Sequence, residues 1–133
     1  MENFKKSQAQ IAIHWTVEEY LAYLYLSIAS ADMDLTAMEL HVIETKLAPL
    51  LSRHFPSIQI DIRFLLKNLH RTAVTSSEME RIHIIEELNK KYKLSKEMQA
   101  DVLSDLHDLI NVDDKIAFSE YAMMHYIRAC FAE

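Results

Sequence analysis

The side chains of this 133-residue chain best suited to chemistry are two sets of carboxylates, each lying between apolar helical stripes. Asp32, Asp34 and Glu39 form one set, and Asp113, Asp114 and Glu120 form the other. Hard divalent cations such as Ca²⁺ and Mg²⁺ take carboxylate and carbonyl oxygens, and anionic groups gathered across one turn supply both charge and chelation. The six residues are therefore candidate metal ligands, either as two sites or as one ion shared between facing turns. The same residue types are favoured at helix starts with no metal present, where they cap backbone N–H groups and meet the positive end of the helix dipole. Both readings stay open at this level. Asp32-Met33-Asp34-Leu35-Thr36 matches the opening of a calcium loop, but the sixth position is Ala37 instead of glycine and the twelfth is Ile43 instead of glutamate. That excludes an EF-hand.

Seven histidines and one cysteine widen the search to enzymes. Glu80-Arg81-Ile82-His83 has the Glu-x-x-His spacing of di-iron bundles, which require a second such element, and none occurs in the chain. His107-Asp108, with His83 upstream and Asp113 downstream, partly resembles the HD-type metal phosphohydrolases. Those need a further aspartate on a distant helix, and beyond Asp108 only Asp113 and Asp114 follow. Cys130 has no cysteine partner, and with His125 five positions earlier as its only neighbouring base it reads as a buried, inert thiol. No Ser-His-Asp order, zinc spacing or phosphate loop is visible. The expectation is a non-enzymatic protein, with the HD-type reading as the remote alternative.

The elements that must position these residues are helices. Val17, Tyr20, Leu21, Leu24, Ile28 and Ala31 follow the i, i+3, i+4 pattern, and Tyr23, Tyr25, Leu26 and Ala29 make the opposite face apolar too, so this is the central helix. Further stripes run through Leu40 to Leu47, Ile62 to Leu69, Met79 to Leu88, Met98 to Ile110 and Tyr121 to Arg128. Thr16 with Glu19, Thr36 with Glu39 and Thr75 with Glu78 each give a capping box, and Ser95 a simpler cap. Pro49 should end or kink the helix that begins near Ala37, and Pro56 marks the next break. The product is an all-α compact bundle of six to seven helices in a single domain over residues 1–133, with 1–14 as an extra N-terminal helix or arm.

Composition agrees. The chain has no glycine, where average usage of about 7% would supply roughly nine, so a Rossmann unit or P-loop is disfavoured. With 20 acidic against 14 basic side chains the net charge is −6, the wrong sign for general attraction to nucleic acid or anionic lipid. The longest apolar stretch, Tyr20 to Ala31, falls short of the ~20 residues of a membrane span. A polar start and a single cysteine give a cytoplasmic expectation. Lys5, Lys6, Lys90, Lys91, Lys93 and Lys96 concentrate positive charge in two short stretches, a feature suited to orienting a protein partner.

A shift of 81 residues lays Ile28–Glu39 over Leu109–Glu120: helix, aspartate, short turn, aliphatic residue (Leu35, Ile116), then glutamate in the opening turn of the next helix. Ala31-Asp32-Met33-Asp34-Leu35-Thr36-Ala37-Met38-Glu39 resembles the Ala-Asp-Gly-x-Ile-Ser-x-x-Glu signature of the TerB-like family, the all-helical module of bacterial tellurite-resistance proteins that also begins a membrane-anchored DnaJ-type co-chaperone. Val112 to Glu120 is similar to the family's second motif. At the family's glycine this chain has Met33 and Asp114, and at the second cap serine it has Ala117. The resemblance implies a roughly seven-helix domain with internal duplication, motif carboxylates as metal ligands, a stress-response role and no catalytic activity.

Overall fold

A computed structural model describes residues 14–30, 35–57, 59–110 and 118–132. Among them are six helices and no strand: α1 Val17–Ala29, α2 Ala37–His54, α3 Ile62–Thr75, α4 Glu78–Lys91, α5 Lys96–Ile110 and α6 Phe118–Ala132. The all-α bundle is as expected. The proposed N-terminal helix or arm over 1–14 lies, apart from His14, outside the described residues.

Helix α1 is the axis of the bundle. Ten consecutive residues, Tyr20 to Ala29, are buried, and α1 packs against every one of the other five helices. A helix apolar on all faces needs a full jacket of neighbours, and each neighbour brings one stripe: Ile43, Leu47 and Leu50 from α2, Leu65, Leu66 and Leu69 from α3, Ile84, Ile85 and Leu88 from α4, Val102 and Leu106 from α5, Ile127 from α6. Trp15 closes one end, its ring 5.1 Å from that of Tyr23, and its carbonyl accepts from the Tyr92 hydroxyl at 2.6 Å.

Most start signals hold. Thr16 Oγ1 accepts from the Glu19 amide at 3.2 Å while Glu19 returns its carboxylate to the Thr16 amide at 2.8 Å, and Thr36 with Glu39 repeats the arrangement. Ser95 Oγ accepts from the Met98 amide at 3.1 Å. The third expected box is displaced by two residues. Thr75 ends α3 with its hydroxyl on the Arg71 carbonyl, and Ser77 caps α4 with Glu80 as its reciprocal partner at 2.8 Å.

Pro49 does not end α2, which runs on to His54. A proline inside a helix costs about 3 kcal/mol because its ring displaces a bond to the carbonyl four residues back, here Thr45. Continuing the helix buries Leu50 and Leu51 beside Leu47, each worth about 1.5–3 kcal/mol, and that gain exceeds the loss.

Candidate functional site

Of the six predicted ligands, Asp32, Asp34, Asp113 and Asp114 lie outside the described residues. Glu39 and Glu120 are placed, and they occupy equivalent positions. Helix α1 ends at Ala29 and α5 at Ile110; α2 begins at Ala37 and α6 at Phe118; each pair is 81 residues apart. Both glutamates are the third residue of their helix, and both are buried, at 5% and 3% exposure. They are the only buried carboxylates among the described residues.

Capping accounts for part of this. Glu39 Oε1 accepts from the Thr36 amide at 2.9 Å and the Thr36 hydroxyl at 3.1 Å. Yet Glu19 and Glu80 perform the same reciprocal capping while remaining only half-buried, so capping by itself does not require burial. Among the described residues, no group of three or more His, Cys, Asp or Glu side chains converges on a point that would hold a metal ion.

Of the enzyme constellations, Glu80 and Asp108 have other engagements. Glu80 is engaged at the start of α4, and His83 is exposed. Asp108 accepts from Lys46 Nζ at 2.8 Å across to α2, while His107 lines a small cleft of about 170 Å³ with His125 of α6. Asp113 lies outside the described residues. Cys130 is buried, as expected of an inert thiol.

Sequence patterns did not reveal the polar seam between α2 and α5. Tyr25, fully buried on α1, donates its hydroxyl to Asp105 Oδ2 at 2.6 Å. Asp105 lines an open cleft of about 370 Å³ with Lys46, Pro49, Arg53 and Asp101. Burial holds its carboxyl above the usual carboxylate range, with the Tyr25 hydrogen bond opposing. Asp101 shifts the other way: hydrogen bonds from His54 at 2.9 Å and Arg53 at 2.7 Å favour its charged form. The i, i+4, i+7 spacing of Asp101, Asp105 and Asp108 on α5 is the signal that places them on one face. The burial of Tyr25 beneath them depends on the packing of α1.

A second unforeseen feature is Arg81, 2% exposed, which donates to the Ala73 carbonyl at 2.7 Å and the Ser27 carbonyl at 3.4 Å. It meets the negative ends of α3 and α1 together, where a cation is favoured by both helix dipoles.

Lys90, Lys93 and Lys96 border a cleft beside Cys130, Lys91 lies 5.0 Å from the Tyr92 ring centroid, and Lys5 and Lys6 are outside the described residues. No described helix is long and apolar enough to cross a membrane. Comparison with known proteins finds no matching family model, no matching curated protein and no matching solved structure.

Proposed function

We propose that this chain is a TerB-like, non-enzymatic domain whose two acidic turns bind a divalent cation, Ca²⁺ or Mg²⁺, in a stress response of the tellurite-resistance kind. The ligands in this reading are Asp32, Asp34 and Glu39 at one turn and Asp113, Asp114 and Glu120 at the other. The observation that supports it is the shared burial of Glu39 and Glu120 at equivalent helix starts. Carboxylate oxygens are hard donors of the kind these ions take, and each glutamate is preceded in the sequence by two aspartates of the same type.

Titration of Ca²⁺, Mg²⁺ or Mn²⁺ tests this reading. Amide resonances around Glu39 and Glu120 should shift saturably, and cation should raise the melting temperature of the parent chain by more than that of Glu120→Gln. If Glu120→Gln changes stability equally with and without cation, the second turn holds no ion.

A second reading has the turns serving only as caps in a partner-docking module. The completed Thr36–Glu39 box favours it, since one oxygen of that carboxylate already serves its own helix. Absence of any cation-dependent shift at millimolar concentration would leave this reading in place.

A further inference from the structure

We propose that the groove between α2 and α3 receives an acidic amphipathic helix of a partner protein. Residues 37–44 of α2 and 63–70 of α3 face each other along it and enclose an open volume of about 480 Å³. Ala37, Leu40 and Leu66 give it an apolar lining. Eight helical residues span roughly 10 Å, about the diameter of one helix with its side chains. In the same two windows Met38 and Phe64 are 60% and 62% exposed, two of the four large hydrophobic side chains that the described residues leave in water.

The charge on the groove points to the occupant. Helix α3 carries Arg63, Lys67 and Arg71 and no acidic residue, a formal +3 within a chain of net −6. No other described helix has a positive balance; α5, with Lys96 against Glu97, Asp101, Asp105 and Asp108, stands at −3. Arg63 and Lys67 line the groove, where only Glu44 opposes them, paired with Arg63 at 2.6 Å. Arg63 is 85% exposed, so this bridge is worth little and yields readily to a competing carboxylate.

An apolar trough with basic walls is complementary to a helix carrying leucine-type residues at i, i+3, i+4 and i+7 and glutamates beside them. A phosphate-rich polymer would gain from the walls but leave the apolar lining unused, and beyond the groove it would meet net negative charge. A bilayer accepts protruding apolar groups more readily than a recess between two helices.

The test uses the full chain, ¹⁵N-labelled, in EDTA, so that its outcome is independent of any cation at the acidic turns. The probe is a synthetic 16-residue helical peptide with leucines at i, i+3, i+4 and i+7 and glutamates elsewhere; the control has lysine for glutamate. Saturable amide shifts confined to residues 37–44 and 63–71 are expected, with the control at least tenfold weaker. Arg63→Glu with Lys67→Glu should weaken the acidic peptide at least tenfold with an unchanged far-ultraviolet circular dichroism spectrum, since both side chains are exposed. The proposal is overturned by equal affinity for the two peptides or by no shift at millimolar peptide. Tighter binding of single-stranded DNA or phosphatidylglycerol vesicles at the same residues, or self-association through them seen by light scattering, also overturns it.

Discussion

The hydroxyl of Tyr25, at the centre of the bundle, donates to Asp105 on α5 across 2.6 Å, linking the buried axis to the polar seam between α2 and α5. Tyr20, three residues into the same helix, is equally buried, and its hydroxyl has no hydrogen-bond partner among the described residues. The two tyrosines should therefore respond differently to loss of one oxygen. Tyr25→Phe is expected to lower stability by about 1.5–3 kcal/mol, the range for a bond to a charged group, and Tyr20→Phe to leave it within about 0.5 kcal/mol or raise it. Urea denaturation midpoints at constant slope measure both. Equal losses would mean that the Tyr25 bond does not anchor α5.

Asp105 and Asp101 should give opposite pH slopes. The Asp105 carboxyl is raised by burial, so it favours the folded state below its ordinary value of about 4, and that advantage fades as pH climbs through the higher folded value. Asp101 is lowered by His54 and Arg53, so its contribution is present above about 4 and lost as pH falls through the depressed value. At pH 7, Asp105→Asn is expected to raise the melting temperature and Asp101→Asn to lower it, with both differences shrinking as the pH is taken to 3. Parallel pH profiles for the two variants would contradict these assignments.

Arg81 should be among the most sensitive positions in the protein. Its guanidinium serves carbonyls at the ends of two helices from a buried position, so Arg81→Met is expected to cost about 2–4 kcal/mol. Arg81→Lys should recover only part of the loss, because a point charge cannot reproduce the planar fork. Full recovery by lysine would reduce its role to charge alone.

Pro49 gives a gain in the other direction. Restoring an N–H to meet the Thr45 carbonyl removes a cost of about 3 kcal/mol, offset by about 0.4–1 kcal/mol of extra freedom in the unfolded chain. Pro49→Ala is thus expected to stabilise the protein by about 2–2.5 kcal/mol, read from the same denaturation curves. A loss would show that the α2 backbone around Pro49 is shaped by the seam it lines.

The displaced cap at α4 shows where sequence reading reaches its limit. Thr75-Ser76-Ser77-Glu78-Met79-Glu80 contains two overlapping Ser/Thr-x-x-Glu frames, and local chemistry ranks them almost equally. The choice fell to Ser77 because α3 extends through Thr75, closing its last turn with Ser76 N–H on the Thr72 carbonyl. Pro49 is the same lesson in reverse: a strong local breaker yielded to the burial of Leu50 and Leu51.

Periodicity and caps were enough to establish six helical stripes and the all-round apolar character of α1, because each is set by side chains within a few turns of one another. Which carboxylates leave the water was decided only in three dimensions. Glu19, Glu39 and Glu80 share one motif, yet Glu39 alone is buried, since a helix start becomes an interior position only when other helices close over it. The Tyr25–Asp105 link, the reach of Arg81 to two helix ends and the basic-walled groove have the same origin. Each joins residues from separate helices, and their meeting depends on how those helices pack around α1.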